Sequence, residues 1–169
     1  MHKQKYFSQI NIPAHDATGE GVVVELYLKV IMNRKLSFNS KGNIASALKN
    51  NFQHVIKVMS DIRDEWKILD CSNYILECSN EKFIVRDSKS SSLALSILIL
   101  NIYREMNGKK QIDGLTGSGI LRIDGSFQSA NHEAKKHLAV IKKMGPNGNF
   151  IMPSECGHLH ELESLMNLN

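Results

Sequence analysis

The sequence predicts an α+β domain in a chain of 169 residues. Three observations favour this class. Hydrophobic residues make up 42% and charged residues 22%, as in ordinary globular proteins. A β-branched run at 22–32 is typical of a strand, whereas apolar residues across 44–59 recur at helical spacing. Strands and helices then follow one another without the regular alternation of a parallel α/β sheet, so α+β is the better class.

The first half of the chain predicts a long strand and a long helix. Residues 1–18 are polar, and we expect them to form an irregular lead-in to a single domain that spans 19–169. The elements expected next, in chain order, are a strand at 22–32 after Gly19 and Gly21, a return strand of a hairpin at 34–39, an amphipathic helix over about 43–66, and short strands at 74–78 and 82–85 around a turn at Asn80.

The second half centres on a helix that is apolar on nearly all sides. A polar loop at 86–92 opens into the segment 93–106, whose apolar residues predict a buried central helix. The remaining elements are predicted as a strand at 120–123, a short strand at Phe127, a helix at 131–144 that Gly145-Pro146 closes, a strand at 149–153 and a short helix at about 156–167.

Composition also excludes several classes of protein. The net charge of +4 is spread along the chain, so we expect no dedicated nucleic-acid site. The three cysteines are too few and too scattered for a disulfide framework. The longest apolar stretch, 93–100, is far shorter than the roughly 20 residues needed to span a bilayer. With no apolar run in residues 1–15, the sequence predicts no signal peptide, no membrane partner and a cytoplasmic location.

Ser90 is a candidate nucleophile because it lies in a polar loop at the start of the buried helix. Backbone N–H groups at a helix N-terminus stabilise a developing oxyanion. The alternative is that Ser90 and the neighbouring serines only cap the helix. None of the seven histidines lies in a G-x-S-x-G elbow. A lysine can act as the base instead, since burial disfavours its ammonium form. Lys136 is a candidate at the margin of an apolar helix face, and the alternative is a solvated lysine.

Three stretches follow one another in order: Asp87 to Ser92 before the apolar helix, Thr116-Gly117, and Asn131 to Lys136 at the start of the next helix. With this order and spacing, residues 87–153 resemble the proteolytic domain of Lon proteases, which use a Ser-Lys dyad. The stretch Asp87-Ser88-Lys89-Ser90-Ser91-Ser92 and its apolar helix match the family motif Asp-Gly-Pro-Ser-Ala-Gly. Thr116-Gly117 matches a family Thr-Gly. The segment from Asn131 to Lys136 matches a Gly-Gly-x-x-x-Lys that opens a helix. Including the strand and helix upstream, the resemblance covers roughly residues 19–167.

The resemblance implies a fold of small mixed sheets packed with about four helices. It also implies a serine endopeptidase in which Ser90 is the nucleophile and Lys136 the general base. Thr116 would hydrogen-bond the lysine amine, and Asp87 would shape the nucleophile loop. No metal and no cofactor are implied. The substrate would be a polypeptide.

The chain departs from the family where glycines flank the dyad residues. Ser88, Ser92, Asn131 and His132 replace them, and Ser118 replaces an acidic residue. These changes keep open an alternative function, a catalytically inactive Lon-fold domain that acts as an oligomerisation or protein-interaction module.

Lon proteases carry an ATPase module, but this chain has no G-x-x-x-x-G-K-[ST] sequence. A separate AAA+ ATPase domain or protein could therefore be a partner. The resemblance also implies a homo-oligomer, a hexameric ring in the family. A metal site at Cys156, His158 and His160 is a further alternative, although the spacing lacks the paired clusters of a zinc finger.

Overall fold

A four-stranded sheet is the largest β structure of the protein. The computed structural model describes residues 2–15, 18, 20–41, 44–78, 89–145 and 149–168. The four strands are β1 (Lys5–His15), β2 (Gly21–Met32), β3 (Ser37–Lys41) and β4 (Ser72–Cys78). They lie in the order β1-β2-β4-β3, with β2 antiparallel to β1 and β4 and with β3 parallel to β4. One face of this sheet contributes to the hydrophobic core.

Strand β1 corrects the prediction of an irregular lead-in. It pairs with β2 along its whole length, from Lys5 opposite Ile31 to His15 opposite Gly21. Its alternate residues Ile10, Ile12 and Ala14 are buried, as expected for a strand that faces a core on one side. The strand lies at the edge of the sheet, where its proline is tolerated.

Strand β3 corrects the predicted hairpin. A strand is present close to the expected position, but its partner is β4 and not β2. In register, Phe38 lies opposite Tyr74, and the two rings stack with centroids 5.5 Å apart. Phe52 meets both rings edge-on, which joins this side of the sheet to the following helix. Aromatic packing across β3 and β4 thus fixes a pairing that loop length alone does not indicate.

Two long helices supply much of the hydrophobic core beside the sheet. Helix α1 (Ser46–Ile62) is amphipathic as predicted, but it ends earlier than expected because Arg63 is extended and starts a 3₁₀ segment at Asp64–Cys71. Helix α2 (Ser92–Met106) confirms the prediction of a buried central helix: all of its residues from Ser92 to Ile102 are buried. It contacts β1 and α1 and lies in the middle of the core.

The remaining described elements are short strands and two further helices. Two small sheets were expected only in part, since Leu115–Gly117 was not predicted as a strand. The elements are β5 (Leu115–Gly117) parallel to β8 (Asn149–Ile151), β6 (Ile120–Leu121) antiparallel to β7 (Phe127–Gln128), α3 (Glu133–Met144) and α4 (Leu159–Asn167). The predicted strand at 82–85 lies outside the described residues. Among the described helices, none has the length and apolar character needed to cross a membrane.

Candidate active site

Ser90 lies in a short 3₁₀ turn, Lys89–Ser91, that leads directly into α2. Two backbone hydrogen bonds hold this turn against Gly119. The Gly119 N–H donates to the Ser90 carbonyl (3.0 Å), and the Leu93 N–H donates to the Gly119 carbonyl (3.2 Å). Only 2% of Ser90 is exposed. The backbone of Ser90 is therefore fixed beside the N-terminal end of a long helix, where the helix dipole favours negative charge.

Lys136 is the fourth residue of α3 and is fully buried, whereas the neighbouring Lys135 is exposed. Helix α3 can lie close to the sheet because β2 has a glycine at the point of contact. A Cβ atom at Gly21 would overlap the Lys135 carbonyl and would lie 3.0 Å from Ala139 Cβ. This close approach shields the side of α3 that carries Lys136, and it explains how a helix rich in lysine can bury one of them.

The two candidate side chains meet inside the protein. Lys136 Nζ lies 2.9 Å from Ser90 Oγ, at hydrogen-bond distance. The sequence prediction paired these two residues, and the structure brings them together. A charged or polar group is rarely this buried without a partner. The serine hydroxyl is thus an immediate proton donor or acceptor for the lysine amine.

Ser118 is a second hydroxyl beside the lysine. Its Oγ lies 3.5 Å from Lys136 Nζ, and the residue is fully buried. Its N–H donates to the Ile151 carbonyl (3.1 Å), which fixes this residue just beyond the end of β5. The sequence reasoning gave Ser118 no role. One feature of the sequence does point to it: Ser118 is a polar residue between Gly117 and Gly119, and glycines allow a backbone to approach its neighbours closely.

Gly117 shows how closely the chain is packed at this point. A Cβ atom there would overlap the Leu93 side chain and would lie 2.5 Å from the Ile151 carbonyl oxygen. Leu93 belongs to the first turn of α2, so Gly117 brings the Ser118 segment against the helix that follows Ser90. A glycine is required at this position by space alone.

Thr116 is also buried, but its hydroxyl bonds elsewhere. Thr116 Oγ1 donates to the Asn11 carbonyl oxygen (2.5 Å), which links β5 to β1. A threonine hydroxyl has a single proton, and Thr116 donates it to the Asn11 carbonyl. The structure therefore uses this hydroxyl to join two strands. Asp87, the fourth residue of the predicted site, lies outside the described residues.

The residues of the alternative metal site, Cys156, His158 and His160, make other contacts in the structure. The ring of His158 bonds to the backbone through both nitrogens: Nδ1 accepts from the His160 N–H (3.1 Å), and Nε2 lies 2.9 Å from the Asp124 carbonyl oxygen. Cys156 is buried, and its sulfur lies 3.6 Å from the His158 carbonyl oxygen. In the part of the chain that the structure describes, no group of three or more His, Cys, Asp or Glu residues could hold a metal ion.

No family model matches the chain, and no curated protein matches it significantly.

Proposed function

We propose that this protein is a Lon-like serine peptidase that hydrolyses peptide bonds with a Ser90–Lys136 dyad. The observation that carries the proposal is the 2.9 Å contact between the lysine amine and the serine hydroxyl inside the protein. A lysine in this position is long, flexible and costly to bury. Lysine side chains are ordinarily exposed, and a catalytic role would explain why this one is buried.

The chemistry requires an unprotonated amine. Removal of a lysine from water disfavours the ammonium form, and this makes the amine available as a base near neutral pH. Lys136 is fully buried, which supports that state. The serine hydroxyl is a weak nucleophile by itself and becomes effective when a neighbouring base accepts its proton.

The proposed reaction has two halves. The Ser90 proton moves to Lys136 Nζ as Oγ attacks the peptide carbonyl carbon, and the carbonyl oxygen becomes an oxyanion. The Lys136 ammonium then gives its proton to the leaving amine as the C–N bond breaks, which leaves an acyl group on Ser90. Water attacks that ester with Lys136 accepting its proton, and the proton returns to Ser90 Oγ as the acid product leaves.

The oxyanion would be stabilised at the N-terminal end of α2. This helix begins two residues after Ser90, and it has fifteen residues, so its dipole is well developed. Backbone N–H groups of the turn Lys89–Ser91 would be the donors for the developing charge, since the Leu93 N–H already donates to the Gly119 carbonyl. Ser118 would help to hold the Lys136 amine towards Ser90. The resemblance assigns this role to Thr116.

We further propose the substrate, the assembly and the partner that the resemblance implies. The Lon-like domain would act on polypeptides, would assemble as a homo-oligomer, and would rely on a separate AAA+ ATPase to unfold folded substrates. A test of the dyad must therefore use a substrate that needs no unfolding.

Cleavage of an unstructured polypeptide, such as denatured casein, tests the proposal without an unfoldase. We expect the wild-type protein to produce peptides, whereas Ser90→Ala and Lys136→Met do not. The matched controls are Ser129→Ala and Lys135→Met, which change exposed residues of the same types and should keep full activity. If Lys136→Met cleaves as fast as the wild type, the dyad is wrong. If the wild type is inactive under all conditions, the inactive interaction module is favoured.

A further inference from the structure

A cavity of about 470 Å³ lies next to the turn that carries the proposed nucleophile. Two of its lining residues, Lys89 and Ser92, flank Ser90 in the sequence. Helix α1 also lines the cavity, through Asn50 and His54 among others, and so does Leu121 of β6. Its volume is within the range of a small-molecule or side-chain site. Since Lys89 and Ser92 line the cavity, it is within reach of a side chain of a polypeptide whose carbonyl is held at Ser90.

The electrostatic character of the cavity favours an anion. Lys89 contributes a full positive charge, and none of the described residues that line the cavity carries a carboxylate. The first residue of α2, Ser92, lines one wall, and Ala47, the second residue of α1, lines another. The positive ends of two helix dipoles thus lie at the same cavity, and their effect adds to that of the lysine.

Hydrogen-bond donors complement this charge. Asn50 is exposed and can present its amide N–H groups to a ligand. His54 is oriented by the Leu121 carbonyl oxygen, which lies 3.1 Å from Nε2. A carbonyl oxygen only accepts, so Nε2 carries a proton in this contact. The His54 ring is therefore held in place as part of the wall.

We infer that this cavity receives the side chain of an aspartate or glutamate of the substrate, next to the bond that Ser90 cleaves. This inference rests on the proposed function, because it names the substrate class of that site. A carboxylate in the cavity meets the Lys89 ammonium and the Asn50 amide. A leucine fits the space but lacks the ion pair, and a lysine or arginine meets a like charge. The protein would thus prefer acidic peptides.

The test is a binding experiment on the Ser90→Ala variant, which keeps the cavity but cannot cleave. Four blocked peptides of the same sequence, with Glu, Gln, Leu or Lys at one central position, are titrated at low salt and followed by NMR shifts. We expect the Glu peptide to bind at least about fivefold more tightly than the Gln and Leu peptides, and the Lys peptide to bind most weakly.

Charge reversal at the cavity supplies the matched comparison. With Lys89→Glu in the same background, the order should invert, so that the Lys peptide binds more tightly than the Glu peptide. Lys57→Glu, the same change at an exposed residue of α1 that does not line the cavity, should keep the original order. Equal binding of the Glu and Leu peptides, no binding of any peptide, or an unchanged order in Lys89→Glu would overturn the inference. Because binding needs no catalysis, these outcomes are distinct from a failure of the dyad.

Discussion

Lys136 Nζ lies 2.9 Å from Ser90 Oγ, although the two residues are 46 positions apart in the sequence. The serine is fixed by the turn before α2, and the lysine reaches it from the first turns of α3. Burial of a lysine restricts a flexible side chain and removes its amine from water, so the contact has a cost in stability. Arrangements of this kind are typical of functional sites.

The first prediction separates activity from stability at Lys136. Lys136→Met keeps the volume and the flexibility of the side chain but removes the amine. We expect the cleavage rate to fall by at least about 10²-fold, because general-base catalysis is lost. We expect the free energy of unfolding to stay within about 2 kcal/mol of the wild type, because removal of a costly buried amine offsets the loss of a partner for the buried Ser90 and Ser118 hydroxyls. Urea denaturation and peptide cleavage measure the two effects. A large loss of stability would indicate a structural role for the amine.

The second prediction distinguishes Thr116 from Ser118. Thr116→Val removes the bond to the Asn11 carbonyl, and we expect a loss of about 1 kcal/mol in the free energy of unfolding with little change in kcat. Ser118→Ala removes the second hydroxyl beside the amine, and we expect kcat to fall by about tenfold, equivalent to one lost hydrogen bond, with KM unchanged. Steady-state kinetics and chemical denaturation on both variants provide the test. The reverse pattern would give the positioning role to Thr116.

The third prediction concerns the packing at Gly117. Gly117→Ala places a methyl group against Leu93 and the Ile151 carbonyl, so we expect a loss of about 1–3 kcal/mol of stability. The control is Gly157→Ala, where the nearest atom to the new Cβ is 3.7 Å away, and we expect a change within about 0.5 kcal/mol. Thermal denaturation compares the two. Equal stability of both variants would show that the approach of the Ser118 segment to α2 is looser than described.

The fourth prediction uses the different environments of the cysteines. Burial raises the pKa of the Cys156 thiol to about 11, whereas Cys71 is exposed. A raised pKa lowers the thiolate fraction at every pH below it, so at pH 8 the Cys156 thiol is protonated and unreactive. We expect iodoacetamide to modify Cys71 first and Cys156 last, as followed by peptide mass spectrometry. In urea the difference should disappear. Rapid modification of Cys156 in the folded protein would contradict the described core.

The elements of the fold that have a clear hydrophobic pattern could be predicted from the sequence. Helix α2 is apolar on all sides because it is surrounded by core, and its bounds were nearly correct. Strand β1 was missed because its alternating Ile10, Ile12 and Ala14 stand among polar residues and next to a proline. The partner of β3 could not be predicted, since the chain between β2 and β3 is short enough for a hairpin and only packing with β4 excludes it.

The candidate site was predictable only in its principal pair. Ser90 and Lys136 were named because their order along the chain resembles that of a known dyad. Ser118 was missed because its contact depends on how β5 approaches α3, which no local pattern reports. The cavity beside Ser90 is likewise formed by α1, β6 and the turn at Lys89, three segments distant in sequence.

The most direct test of the dyad is the rate at which a fluorophosphonate reagent modifies Ser90, measured by intact-protein and peptide mass spectrometry. This reaction needs an activated serine but neither a substrate nor an unfoldase. We predict one adduct on Ser90 in the wild type and in Lys135→Met, and a rate at least about 10²-fold lower in Lys136→Met. Equal modification of wild type and Lys136→Met, or no modification of the wild type, would contradict the proposal that Lys136 activates Ser90.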